Sequence, residues 1–117
     1  MSISERLRDA RRATSFCIGA SLALAAGGAA SGPPPDEARL IRLVRHDCGS
    51  CHGFTLKGGL GPALTQSALA GKPADYVREM ILHGRNGTAM PPWAAFLSQA
   101  EAEWIAQRLL TGFPDAR

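Results

Sequence analysis

The residues of this chain best suited to chemistry lie together near its middle, in the segment CGSCH at 48–52. Two cysteines separated by two small residues, with a histidine directly after the second, form the C-x-x-C-H pattern of covalent haem attachment. This spacing lets two thiols reach the two vinyl groups of one porphyrin and brings an imidazole under the iron. We therefore expect Cys48 and Cys51 to form thioethers, and His52 to bind the iron as its proximal ligand.

The same cysteine pair allows three other interpretations. A structural zinc site needs a second pair of ligands at a set spacing, and after residue 30 only His46 and His83 remain beyond the motif. A thioredoxin-like redox pair needs a βαβ setting, which the sequence does not indicate. A disulfide across two residues is compatible with an oxidising compartment, but it closes too short a loop to stabilise the fold much. Haem attachment is the favoured interpretation.

An iron ligated on both faces needs a sixth ligand, for which Met90 is the best candidate. It lies in a segment that Pro91 and Pro92 make stiff, and a stiff segment can hold a weak thioether ligand in place. Met80 instead shares a helical face with apolar residues and fits a core position. His83 is the second candidate for the sixth ligand.

The elements that must position these residues are helices. Apolar residues recur at helical spacing in three stretches, and no stretch alternates with the period of a strand. The first predicted helix begins after Asp36 and runs into the CGSCH segment at 48–52. The second begins near Pro73, and the last begins at a capping box formed by Ser98 and Glu101. The buried face of the second helix is predicted from four residues: Tyr76, Val77, Met80 and Ile81. Long segments between the helices indicate an all-α domain wrapped around a large group.

Residues 1–30 have the layout of a secretory signal peptide. Four arginines precede an uncharged, apolar stretch that ends in small residues, which predicts cleavage near Ala30. A retained membrane anchor is the alternative, because the uncharged stretch reaches the length of a marginal spanning segment. The predicted organisation is a signal peptide at 1–30, a Pro-rich leader at 31–35, a folded domain at 36–112 and a tail at 113–117.

The charge of the chain argues against a nucleic-acid partner. Its formal net charge is +3, from 13 Lys and Arg against 10 Asp and Glu, and no run of basic residues forms a stripe. Hydrophobic residues make up 45% of the chain, which excludes a disordered polymer. Much of the positive charge lies in the predicted signal peptide. We therefore expect a nearly neutral monomer in the periplasm, with no stable membrane association once the signal is removed.

Taken together, these motifs resemble those of the class I c-type cytochromes. The resemblance rests on CGSCH, on GPAL at 61–64, on TAMPPW at 88–93 and on the capped last helix. It implies a class I cytochrome c fold, in which three to four helices surround one covalently bound haem c and the first and last helices cross beside it. It also implies that the carbonyl of Pro62 accepts a hydrogen bond from His52, and that Met90 is the distal ligand.

A narrower similarity is to the small monohaem cytochromes of nitrite-reductase gene clusters, through CGSCHGFTLKGGLGPALT and LHGRNGTAMPPW. It implies a one-electron carrier in denitrification that donates electrons to cytochrome cd1 nitrite reductase. The alternative is a redox enzyme or subunit in the final oxidation step of haem d1 biosynthesis. A haem sensor is a third hypothesis, and it requires an open sixth site. The carrier hypothesis instead requires two filled axial positions and no substrate chemistry at the iron.

Overall fold

The computed structural model describes residues 32–114. The predicted signal peptide, its cleavage site and most of the predicted tail lie outside the described residues. Within residues 32–114, no helix has both the length and the apolar character needed to cross a membrane.

The described part of the chain is helical and contains no strand, which confirms the all-α prediction. Its elements are α1 (Glu37–Leu43), a π-helical turn (Val44–Cys48), α2 (Gly49–His52), α3 (Ala74–His83) and α4 (Gln99–Thr111). The backbone stays right-handed helical at both joints of the π turn. The first three elements therefore form one helical rod over residues 37–52, which runs into the CGSCH segment as predicted and ends with it at His52.

The start of the helical rod is fixed by a cap and by contacts with α4. The side chain of Asp36 accepts a hydrogen bond from the Arg39 amide at 3.0 Å, which satisfies a backbone donor in the first turn. Arg39 also forms an ion pair with Glu101 at the start of α4. The indole Nε1 of Trp104 donates to Glu37 Oε1 at 3.3 Å. These polar contacts hold the two helices together at the surface.

Helix α3 begins directly after Pro73 and buries one apolar face. Its buried side chains are Val77, Ile81 and Leu82. The predicted burial of Tyr76 is wrong, because this side chain is 44% exposed and the Lys72 ammonium lies 5.4 Å from its ring centroid. Tyr76 sits at the edge of the apolar face, where its ring packs against the Lys72 cation. Met80 is only partly buried.

Helix α4 begins at the predicted capping box. Ser98 Oγ accepts from the Glu101 amide at 3.2 Å, and the Ser98 amide donates to Glu101 Oε2 at 2.9 Å. The second of these hydrogen bonds lowers the pKa of Glu101, and the ion pair with Arg39 acts in the same direction. The carboxylate is thus ionised in the form that caps the helix and holds the rod.

The hydrophobic core lies where the helical rod packs with α3 and α4. Its largest fully buried side chains come from all three: Leu40, Val44, Leu82 and Ile105. The connecting segments add three more buried leucines: Leu56, Leu69 and Leu97. The core is small, so each of these side chains contributes a large part of the total apolar burial.

Replacing Leu40 with alanine should lower the free energy of unfolding by about 2–5 kcal/mol, because it leaves a cavity in a closely packed core. Leu40 has no exposed surface, whereas Leu60 is 94% exposed. Leu60→Ala is therefore the matched control, and we expect it to change stability by less than about 0.5 kcal/mol. Chemical denaturation of both variants measures the difference. Equal losses in the two variants would show that the core is placed incorrectly.

Candidate haem-binding site

The helical rod carries the CGSCH residues at its C-terminal end. Cys48 closes the π turn and is partly buried, while Cys51 lies in α2 and is exposed. No disulfide joins them. Between them, Ser50 Oγ donates to the carbonyl of Asp47 at 2.7 Å, which fixes the turn that separates the two sulfurs. The two thiols are thus held on one short helical segment and are not joined to each other.

Cys48 occupies a position suited to an uncharged sulfur. Burial raises the pKa of its thiol to about 11, and the negative charge of Asp47 acts in the same direction. Before haem is attached, this sulfur is therefore protonated and neutral at neutral pH. A thioether is also uncharged, so the bond that the motif predicts adds no buried charge here.

The His52 ring is oriented by a backbone carbonyl. Its Nδ1 lies 2.7 Å from the oxygen of Pro62, which is the contact that the family resemblance implies. A carbonyl oxygen can only accept a hydrogen bond, so Nδ1 carries the proton and donates. Nε2 then keeps its lone pair and is available to a metal.

The loop over residues 53–62 folds back over the end of α2. The amide of Gly61 donates to Cys51 O, and the amide of Gly58 donates to His52 O, both at 2.8 Å. The reversal begins at Gly53, whose φ of +86° favours glycine and whose Cβ, if present, would lie 2.6 Å from Gly58 O. Two carbonyls at the helix terminus are thus satisfied by the same loop that supplies Pro62.

Gly61 makes the closest approach to the histidine. A Cβ at this position would lie 3.0 Å from both Cε1 and Nδ1 of the His52 ring. The ring therefore packs flat against a backbone that has no side chain at this point. The glycine and proline of the GPAL segment have separate roles, because Gly61 provides the space and Pro62 provides the acceptor.

Met90 lies in the segment after α3 and is partly buried. This segment is attached to the last turns of α3, since the amides of Trp93 and Ala94 donate to Ile81 O and Leu82 O, each at 3.1 Å. Backbone hydrogen bonds in the residues that precede Met90 also hold this segment in place. These contacts come from regions other than the CGSCH rod, so Met90 is positioned independently of His52.

His83, the second candidate for the distal ligand, is engaged elsewhere. Its side chain is 64% exposed, and its Nε2 lies 3.2 Å from Glu79 Oε2, one turn earlier on α3. His46 is also exposed and lies within the π turn of the proximal rod. Met90 remains the better candidate, because it is more buried than either histidine and is held in an irregular segment.

Exposed aromatic side chains flank both halves of the site. Phe54, two residues after His52, is 67% exposed. Phe96 is 68% exposed and packs edge-on against Trp93, with ring centroids 5.9 Å apart. Apolar surface of this extent gains stability when a large apolar group covers it. The donor set of two thiols, one free imidazole nitrogen and one thioether therefore fits haem c in both chemistry and surroundings.

The chain is similar to known c-type cytochromes. The family model described as cytochrome c oxidase, cbb3-type, subunit III matches residues 35–107. Cytochrome c55X of Stutzerimonas stutzeri is 52% identical over 93 residues, which cover 80% of this chain and 79% of that relative. The solved structure of c-type cytochrome NirC has a TM-score of 0.66 and 51% identity, covering 68% of this chain and 96% of that chain.

A more distant similarity links the chain to an enzyme. Dihydro-heme d1 dehydrogenase of Pseudomonas aeruginosa is 38% identical over 98 residues. These residues cover 83% of this chain but only 19% of the enzyme. The similarity therefore concerns one region of a much longer protein.

Replacing Gly61 with alanine should displace the His52 ring by a few tenths of an ångström, because the added Cβ would lie 3.0 Å from Nδ1. We expect the Nδ1–H proton resonance of His52 to shift or disappear in the NMR spectrum of the reduced haem protein, with a lower melting temperature. Gly32→Ala is the control, since a Cβ at Gly32 meets no atom within 4 Å. An unchanged resonance in Gly61→Ala would argue against the role assigned to the Pro62 carbonyl.

Proposed function

The chain belongs to the class I c-type cytochromes, and on that premise we propose that it is a periplasmic one-electron carrier that donates electrons to cytochrome cd1 nitrite reductase. The observation that carries the proposal is the His52 ring, held through Nδ1 by Pro62 so that Nε2 is left for the iron. The haem c supplies one-electron exchange between ferrous and ferric iron. The chain supplies the attachment, both axial ligands and the apolar surroundings.

Each site residue has a distinct role in this proposal. Cys48 and Cys51 hold the haem by thioether bonds, and His52 and Met90 are its two axial ligands. The Pro62 carbonyl keeps the proton on Nδ1 and makes the imidazole a stronger donor to the metal. The soft sulfur of Met90 favours ferrous iron and so raises the reduction potential. With both axial positions filled by the chain, no site remains for a substrate, which supports a carrier over an enzyme or a sensor.

A periplasmic location is supported by two features of the sequence. Residues 1–30 combine a basic start with an apolar stretch and small residues, as secretory signals do. Haem is attached to C-x-x-C-H motifs outside the cytoplasm, so export and haem attachment imply the same compartment. Denitrification is supported by the similarity to cytochrome c55X and to NirC.

The partner meets the protein through a small, largely uncharged surface. The segment over residues 58–64 contains no ionisable side chain, and its Leu60 is 94% exposed. Leu60 directly precedes Gly61, which packs against the His52 ring. An exposed leucine beside the proximal ligand offers a short-range apolar contact suited to brief electron-transfer encounters. Long-range steering by charge has little part in this docking.

The second candidate function is electron transfer in haem d1 maturation. It is favoured by the 38% identity to dihydro-heme d1 dehydrogenase. Dehydrogenation releases two electrons and two protons from each dihydro-haem d1, so two molecules of a one-electron carrier would accept the electrons. Mixing the oxidised protein with that dehydrogenase and its substrate tests this role, and mixing the reduced protein with cytochrome cd1 tests the first.

Met90→Ala should open the distal position, because the iron loses its sulfur ligand and alanine cannot replace it. We expect a lower reduction potential and rapid carbon monoxide binding to the reduced protein at neutral pH. Met80→Ala is the matched control, since Met80 lies on α3 and should leave both properties unchanged. Optical titration and stopped-flow mixing measure them. A Met90→Ala protein with wild-type potential and spectrum would refute the ligand assignment.

The reduced protein should transfer electrons to purified cytochrome cd1 nitrite reductase in a stopped-flow experiment. Leu60→Asp should slow the second-order reaction, because it places a charge in the apolar contact; the potential of each variant is measured beside its rate. Ala100→Asp, at the exposed start of α4, is the control and should leave the rate unchanged. Failure of the wild-type protein to reduce the enzyme would exclude this partner. Equal rates for wild type and Leu60→Asp would show that the docking surface lies elsewhere.

A further inference from the structure

We propose that the π turn over Val44–Cys48 sets the register of the proximal site, by accommodating one extra residue between the core face of the rod and the CGSCH segment. The rod must satisfy two structural requirements. Its first half must bury an apolar face in the core, and its second half must bring two thiols and an imidazole to one haem. The burial pattern shows that an uninterrupted α-helix would not satisfy both.

The conflict is visible at Asp47. In an α-helix, residues three, four and seven positions apart share a face. Leu40 and Val44 have no exposed surface and define the core face of the rod. Asp47 follows Leu40 by seven positions and Val44 by three, so a regular helix would direct its carboxylate into the core. In the structure Asp47 is exposed.

The hydrogen bonds of the turn account for this change. The amide of Gly49 donates to the carbonyl of Val44, five residues earlier, as well as to that of His46. A bond across five residues takes one additional residue into the turn. Every side chain beyond it lags by about 100° relative to a regular α-helix. Cys48 thereby takes the direction that Asp47 would otherwise have.

The same rotation releases Cys51. This cysteine follows Val44 by seven positions, so a regular helix would direct its thiol into the core as well. It is exposed instead, and Gly49 is buried in a position where a Cβ would lie 3.3 Å from the Cα of Phe54. The π turn thus turns the second thiol outward, while Leu40 and Val44 stay buried. This inference rests on the proposed roles of the CGSCH residues and is independent of the redox partner.

A one-residue deletion and a one-residue insertion test the inference. Deleting Asp47 should convert the π turn to α-helix and leave the CGSCH segment facing as before, because the extra residue is gone. Inserting one alanine after Asp47 should rotate the segment by a further residue. We expect the deletion to keep, and the insertion to lose, the Nδ1–H resonance of His52 and the far-red absorption band of methionine-ligated ferric haem. Asp47→Ala keeps the chain length and should behave as wild type.

The inference would be overturned if both variants kept both signals, if both variants lost them, or if only the deletion variant lost them. Because a length variant can lose its fold for other reasons, the wild-type haem protein provides a direct measurement. Scalar coupling across the hydrogen bond should join the Gly49 amide nitrogen to the Val44 carbonyl carbon. Coupling to the Arg45 carbonyl would indicate a regular helix and would also overturn it. Mass analysis of the wild-type haem peptide shows separately whether both thioethers exist, so failure of the site assignment is distinguishable.

Discussion

A single hydrogen bond, from Nδ1 of His52 to the carbonyl of Pro62, joins the helical rod to the loop that folds back over its end. It fixes the tautomer of the imidazole and the orientation of its ring, and therefore the direction of the nitrogen left for the iron. The loop reaches this position only because glycines at 53 and 61 allow a reversal and a close approach. Attachment of the haem, ligation of the iron by the histidine and packing of the loop into the core all depend on this geometry.

The two halves of the site are supported by separate parts of the core. The proximal half belongs to the rod. Arg39 joins the rod to α4 through Glu101, and Glu37 joins it to α4 through Trp104. The distal half belongs to the segment after α3, and α3 itself packs along α4. Helix α4 is thus the common support of both proposed ligands. The segments that carry His52 and Met90 therefore rest on the same helix.

The parts of this structure governed by local chemistry could be predicted from the sequence. The capping box of Ser98 and Glu101 is an example, because both partners lie within one turn. The contact between His52 and Pro62 followed from family resemblance, since no local rule joins positions ten residues apart. The helical periodicity predicted which face of α3 is buried, but it did not predict where that face ends. Tyr76 lies at the edge of the face and was therefore wrongly predicted to be buried. The π turn could not be predicted, because it arises from a conflict between the core and the CGSCH segment.

The attachment of the distal segment to α3 has a consequence for the rate of electron transfer. The amides of Trp93 and Ala94 are bonded to carbonyls of Ile81 and Leu82, and none of these atoms belongs to a ligand side chain. The backbone that carries Met90 is therefore held by bonds whose strength does not depend on the charge of the metal. With Met90 as the proposed distal ligand, a ligand sphere fixed in this way moves little when an electron arrives or leaves, so little energy is spent on rearranging it during each transfer.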